Sequence, residues 1–316
     1  MRTLPQSFTV PGKVMLAGEY FVLGGGVSLM LPTQFSQEMT IRDPRHNNQI
    51  EYNARDEQGN IFFNSVMSFR EGEVQSLSFS DKETNDFLIS LFRELSHKDL
   101  LFCGDIETKM NFSPLWGIGS SASLMALLAK SFNCPWKDLL KHISGSGADV
   151  ACSFSGRSLF YQRKNEEEII LSPCDFNPSF KDSLYFVHLN KKISTEKDIS
   201  GIVKNYFLDL RQKNPELIKL VSSLVKSLGD YQDNFKKSLS VLRQLDNLTA
   251  KGLQRETLQN SHFADFPGLV KYLGSWGGDF ALVMSEDLSS KEVSEYFAKR
   301  GYKFLLRYDE MIKKDQ

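Results

Sequence analysis

The chain has 316 residues, with 38 Lys and Arg against 39 Asp and Glu and a formal net charge of −1. Hydrophobic residues make up 41% and charged residues 24%, values of a globular chain long enough for one large or two modest domains. That balance excludes affinity resting on a large basic surface, so no nucleic-acid partner is expected.

The N-terminal MRTLPQSFTVPGK has no apolar core of a signal peptide, and no apolar stretch approaches the roughly 18 residues that span a bilayer. No membrane partner and a cytoplasmic location are expected. Cys103, Cys134, Cys152 and Cys174 are too far apart for a CxxC pair, which fits a reducing compartment. The five histidines form no HxxxH or HExxH pair.

In chain order, short apolar runs predict strands at Val14–Ala17, Phe35–Ile41, Gln49–Tyr52 and Ile61–Phe63, separated by polar turns. Asn85–Leu95 reads as a helix and Ile106–Phe112 as a strand. Ser121–Phe132 is apolar nearly all round, which predicts a buried helix, and Pro135–Ile143 predicts another with Pro135 in its first turn. Arg157–Gln162, Ile169–Leu171 and Leu184–Leu189 read as strands. Residues 195–260 carry helical periodicity broken near Pro215 and Gly229. A strand at Phe280–Met284, a helix at Ser290–Lys299 and a strand at Tyr302–Arg307 close the chain. The change of character places a domain boundary near residue 190, giving domains 1–190 and 191–316.

The 21 glycines are unevenly spread. Thirteen fall in four short segments: 12–26, 117–119, 145–156 and 274–278. Turns would explain any one of them. Four segments with Ser, Lys or Asp close by fit phosphate cradling better.

Pro114-Leu-Trp-Gly-Ile-Gly-Ser-Ser-Ala-Ser123 is the most informative, because it runs straight into the apolar helix. Its small residues let a ligand approach the backbone, and the unpaired N–H groups of a helix start attract anions. Ser120 and Ser121 either cap the helix, bind phosphate oxygens or ligate Mg²⁺. No GxxxxGK[ST] occurs, so a P-loop is excluded. Gly117-x-Gly119-x-x-Ala122 with Asp138 downstream fits a dinucleotide fingerprint by spacing, but Asp138 lies in a helical pattern rather than at a strand end.

In Pro11-Gly-Lys-Val-Met-Leu-Ala-Gly-Glu-Tyr20, Lys13 is either a phosphate-facing point charge or a solvated lysine beside a turn. Ser144–Ala151 places Asp149 at a helix start, as an N-cap or as a functional acid. Gly274-Ser-Trp-Gly-Gly-Asp279 precedes a strand, as a tight turn or a loop over a nucleotide.

These segments resemble the GHMP kinase superfamily. PGKVMLAGEY is similar to its N-terminal motif, PLWGIGSSAS to its phosphate loop and GSWGGDFALV to its Gly-rich third motif, in the family's order over residues 11–284. Within the superfamily, AGEYFVL and GSGADVACSFSGRSLFYQR are most similar to the phosphomevalonate kinase branch, with mevalonate kinases next. Ala148 stands where that branch commonly has Gly, and Trp276 enlarges a loop that normally carries small residues. The Mg²⁺-binding Glu of mevalonate kinases has no counterpart: Asp138 is the one acid between Ser123 and Asp149.

The resemblance implies an α+β fold of two domains, a mixed sheet with helices and an antiparallel sheet with helices, with the ATP site between them. It implies ATP and Mg²⁺ as cofactors, held by Gly117, Gly119, Ser120, Ser121, Ala122 and Ser123, with Ser121 or Ser120 on the metal. Lys13 and Asp149 would be catalytic and close together. Glu19, Tyr20, Gly147, Gly274, Ser275, Gly277 and Gly278 would contact the substrate. An anionic small-molecule acceptor would call on extra cations, for which Lys191, Lys192 and Arg157 are candidates, each more readily read as ordinary solvated surface. The oligomeric expectation is a monomer or homodimer. A phosphomevalonate kinase is the first expectation; a mevalonate, other alcohol or sugar kinase, or a binding-only relative, is the alternative.

Overall fold

The computed structural model describes residues 4–190, 201–274 and 280–314, with residues 201–204 described by their backbone alone. The chain divides into two compact units, neither of them continuous in sequence. One comprises Met1–Gly12, Phe35–Pro114 and Gly119–Gly156; the other comprises Lys13–Gln34, Leu115–Ile118 and Arg157–Gln316. The boundary expected near residue 190 falls inside the second of these. Strands β1 (Gln6–Ala17) and β2 (Val27–Arg42) each contribute residues to both.

The first unit is built on a mixed sheet. Its strands are β3 (Gln49–Arg55), β4 (Ile61–Arg70), β5 (Glu73–Phe79) and β6 (Gly104–Met110), in the order β5-β4-β3-β6-β2. β3 and β6 run parallel and the other neighbours antiparallel. The period-two pattern of β3 turns Ile50, Tyr52 and Ala54 inward.

Helix α1 (Lys82–His97) starts where the Asp81 carboxylate accepts the Thr84 N–H at 2.8 Å, and it buries Leu88, Leu91, Phe92 and Leu95. α2 (Ser120–Ser131) is buried along most of its length, as its apolar composition predicts, and α3 (Ala148–Ser155) packs beside it. Phe92 and Phe132 meet edge to face, 6.3 Å apart. The helix expected at Pro135–Ile143 is instead a 3₁₀ helix over Trp136–His142. Pro135 stands outside it, with ψ at 118°, and Ile143 is already extended, which confines the segment to a short 3₁₀ run.

In the second unit, β7 (Leu159–Arg163) pairs with Val27–Met30 of β2 and with β8 (Ile169–Pro173). A separate antiparallel sheet has the order β10-β11-β9-β12, from β9 (Leu184–His188), β10 (Leu269–Tyr272), β11 (Phe280–Met284) and β12 (Leu305–Arg307). The helices are α4 (Gly201–Lys213), α5 (Pro215–Asp230), α6 (Phe235–Leu253), α7 (Leu258–His262), α8 (Ser290–Lys299) and α9 (Tyr308–Met311). Pro215 opens α5 behind an Asn214 cap, whereas Gly229 lies inside its last turn and the break follows at Tyr231. The core under the small sheet joins Val187, Val270, Ala281 and Val283 to Phe263, Phe266 and Phe297. β5 and β10 had no counterpart among the expected strands, and the strand expected from Tyr302 begins only at Leu305.

All four cysteines are free thiols. Among the described residues no helix is long and apolar enough to cross a membrane.

Candidate functional site

The start of α2 is shaped by glycine. Gly119 is its N-cap, with φ 98° and ψ 42°, a left-handed conformation that a side chain disfavours. No side chain caps this end, so the Ser120 and Ser121 hydroxyls are not used for capping. The first intrahelical bond joins the Ser123 N–H to the Gly119 carbonyl at 2.8 Å. The N–H groups of Ser120, Ser121 and Ala122 therefore have no intrahelical acceptor, and the dipole adds positive potential there. Ser121 is exposed and Ser120 half-buried. Ser123, expected with them, is wholly buried; its hydroxyl donates to Gln37 Oε1 at 2.5 Å. Both of its polar groups are thus engaged inside the protein, which makes it a support for the loop.

Ser120, Ser121 and Leu124 form one wall of a cavity of about 80 Å³ in the same unit. Its lining also includes Tyr52, Phe62, Phe63 and Phe87, with Gln37 and Thr84 as further polar members. Tyr52 is tied to Thr108 through a 2.9 Å hydroxyl–hydroxyl bond, and burial pushes its phenol well above the usual range, so it stays a neutral wall. The recess is thus apolar and aromatic-lined, with the start of α2, where an anion is favoured, among its lining.

Next to α2 in this unit, Gly147 is the left-handed N-cap of α3, with φ 87°. Asp149 sits in the first turn, half-buried, at the second helical position. The cap is a glycine, so Asp149 is not the N-cap that its sequence context allows. Ala148 is fully buried, its N–H bonded to the Ser146 hydroxyl at 3.2 Å.

The second unit carries the remaining candidates. The Lys13 N–H donates to the Ile118 carbonyl at 2.8 Å, joining the N-terminal motif to the Gly117–Ile118 part of the loop. Trp116 packs against Phe304 at 4.8 Å and Phe280 at 6.0 Å. Gly18, at φ 91°, lies so close to the Val27 carbonyl that a Cβ would come within 2.3 Å of it. Glu19 is 4% exposed and its carboxylate receives the Lys271 ammonium at 2.5 Å. Burial pushes the Glu19 carboxyl up and Lys271 opposes that shift. Tyr20 has φ 61° and ψ −46°, and the Phe21 N–H donates to the Glu19 carbonyl at 2.7 Å across it: a positive-φ γ-turn. Gly274, φ 70°, follows β10, whereas Ser275, Trp276, Gly277, Gly278 and Asp279 lie outside the described residues, as do Lys191 and Lys192. Arg157 is exposed.

The Glu19–Lys271 pair was not visible in the sequence. A lysine within Leu269–Tyr272 gives no hint of being 2% exposed, and its partner is 252 positions away. Among the described residues no three His, Cys, Asp or Glu side chains converge as metal ligands. Exposed Ser121 fits the other way of holding Mg²⁺, in which phosphate oxygens and water supply most ligands and the protein one or two.

No family model matches the chain, and no curated protein matches it in sequence. Solved structures do match in fold. The mevalonate kinase of Methanococcus jannaschii superposes with a TM-score of 0.67 at 14% identity, covering 99% of this chain and 100% of that one. Phosphomevalonate kinase of Streptococcus pneumoniae, bound to phosphomevalonate and AMPPNP, gives 0.66 at 15% identity, with 96% and 99% covered. Galactokinase of Lactococcus lactis, bound to galactose, gives 0.58 at 14% identity, with 98% and 93% covered.

Proposed function

We propose that this chain, which has the fold of the GHMP kinases, is an ATP-dependent small-molecule kinase, and that its acceptor is phosphomevalonate. The observation that carries the kinase reading is the cavity of the first unit, an aromatic-lined recess that ends on the uncapped N-terminus of α2 at Ser120 and Ser121. The phosphomevalonate reading rests on the similarity of AGEYFVL and GSGADVACSFSGRSLFYQR to that branch.

Phosphoryl transfer asks a protein mainly for positioning and charge neutralisation. When bound, MgATP supplies the phosphoryl group and a divalent cation that offsets its charge. Gly119 lets the backbone approach the polyphosphate, and the N–H groups of Ser120, Ser121 and Ala122 bind its oxygens. Ser121, with Ser120 as the alternative, offers a hydroxyl to the metal. Lys13 supplies a cation for charge developing on the transferred group. Asp149 orients the acceptor. The bond from the γ-phosphorus to its bridging oxygen breaks, ADP leaves with that electron pair, and an acceptor oxygen bonds to phosphorus. A phosphate-monoester acceptor is largely ionised near neutral pH, so Asp149 needs to align it rather than deprotonate it; for an alcohol acceptor it would serve as general base.

A coupled assay of ADP release with mevalonate, phosphomevalonate, homoserine and galactose in parallel tests both levels. Turnover with phosphomevalonate alone is the expected result. Turnover with another acceptor overturns the substrate assignment, and silence on all four together with no MgATP binding by calorimetry overturns the kinase reading.

A further inference from the structure

The second unit buries three ionisable side chains, Glu19, Lys271 and Asp246, at 4%, 2% and 3% exposed, the last on α6, which packs against β10, the strand of Lys271. Lys271 and Asp246 have no part in the chemistry proposed above. Lys271 Nζ donates to Glu19 Oε1 at 2.5 Å and to the Leu16 carbonyl at 3.2 Å, so one ammonium ties β10 to both sides of the Ala17–Gly18 step. Asp246, on α6, has an Oδ1 without a hydrogen-bond partner, and no ion pair reaches it among the described residues. Two buried carboxylates thus compete for a single cation, and an unpaired charge in such a place is costly.

The segment that Lys271 holds is strained. Tyr20 has the φ of 61° described above, and such a backbone persists only where its surroundings enforce it. Phe207 packs against it, with its ring 5.2 Å from those of Tyr20 and Phe21. The ion pair supplies a second restraint, at Glu19 and Leu16.

We infer that Lys271 is the positioning residue of the Leu16–Phe21 segment, and that Asp246 governs it: Lys271 stays on Glu19 while Asp246 is uncharged, and an ionised Asp246 draws the ammonium away and loosens the turn at Tyr20. The inference rests on the kinase reading only for its catalytic consequence, since this segment continues from Lys13.

The groups acting on Asp246 are Lys271 from β10 and Glu19 from the segment itself. Tyr272 of β10 in turn feels Asp246, as well as Tyr302 and Arg255. α4 and α5 pack on α6 too, but among the described residues neither contributes a charge that shifts Asp246. Burial pushes the Asp246 carboxyl up to about 7; Lys271 opposes this and Glu19 adds to it. The switch therefore falls near neutral pH.

Hydrogen–deuterium exchange of peptides covering residues 16–24, compared at about pH 6 and about pH 8 after correction for intrinsic rates, reads the turn without any substrate. Protection in the unaltered chain should fall about tenfold between these conditions, following one titration. Asp246→Asn should hold the acid-side protection at both, Lys271→Met should lose it at both, and Lys271→Arg should restore part of it. Equal protection of the unaltered chain at both pH values, or the same pH dependence in Asp246→Asn, overturns the inference. If Lys271→Met does not fold, the near-isosteric Asp246→Asn decides alone. With MgATP and phosphomevalonate, Asp246→Asn should remove the alkaline fall in kcat/KM. Absence of turnover in the unaltered chain would count against the kinase reading, while the exchange result still decides this one.

Discussion

Lys13 and Asp149 differ from Ser123 in what a substitution should remove. Neither Lys13→Met nor Asp149→Asn takes away a core side chain, so unfolding temperatures should stay close to those of the unaltered chain. Turnover should fall at least a hundredfold, roughly 3 kcal/mol of transition-state stabilisation. Calorimetry beside the ADP-release assay separates the two effects, and an active Asp149→Asn would remove that residue from the site. Ser123→Ala should show the reverse pattern. It leaves Gln37 Oε1 buried without its donor, which costs on the order of 1–3 kcal/mol in urea denaturation. MgATP affinity should change less than stability does, because Ser123 faces inward.

At the scale of elements, Gly18 is a position where a methyl group has almost no room. Gly18→Ala would meet the Val27 carbonyl in a conformation that already disfavours any side chain. A loss on the order of 3 kcal/mol or more is expected, read from the urea midpoint, and a neutral result would mean that β1 and β2 can separate there. Leu128→Ala in α2 should cost about 2–5 kcal/mol through the cavity it opens.

The elements also show what could be read in advance. α2 is legible because an apolar dodecamer after a Gly-Ser loop has one sensible arrangement, and the β-rich first third is legible from its alternation. β10 is not. Leu-Val-Lys-Tyr is four residues long, and its lysine contradicts burial until Glu19 arrives from the other end of the chain. The γ-turn at Tyr20 is equally hidden, because nothing about a tyrosine signals positive φ. Motif spacing located the candidate loops, whereas the Glu19–Lys271 charge pair depends on tertiary pairing that no local pattern carries.

For the whole molecule, two kinds of acid act on stability with opposite signs. Asp246 titrates near 7 when folded against an ordinary 3.8, so its contribution is fully present below 3.8 and is lost as pH rises through about 7. Glu19 is shifted in the same direction by burial. The helix-capping Asp81 and Glu292 are held below their ordinary values of 3.8 and 4.5 by hydrogen bonds, so their contributions exist above those values and vanish on acidification. Resistance to urea should therefore peak in mildly acidic buffer and decline toward about pH 8. Asp246→Asn should flatten that alkaline decline, and an unchanged slope would show that other groups set it.

The interleaving of the two units restricts how the chain can be divided. The segment Lys13–Gln34 reaches the ribosome exit more than a hundred residues ahead of Leu159–Arg163, the strand it pairs with. A nascent chain must hold that apolar stretch unmatched through the synthesis of most of the first unit. Cutting after Gly156 would give two polypeptides, each missing or carrying pieces that belong to the other. Such halves should be insoluble when made singly and recover only when co-expressed, unlike modules joined by a linker.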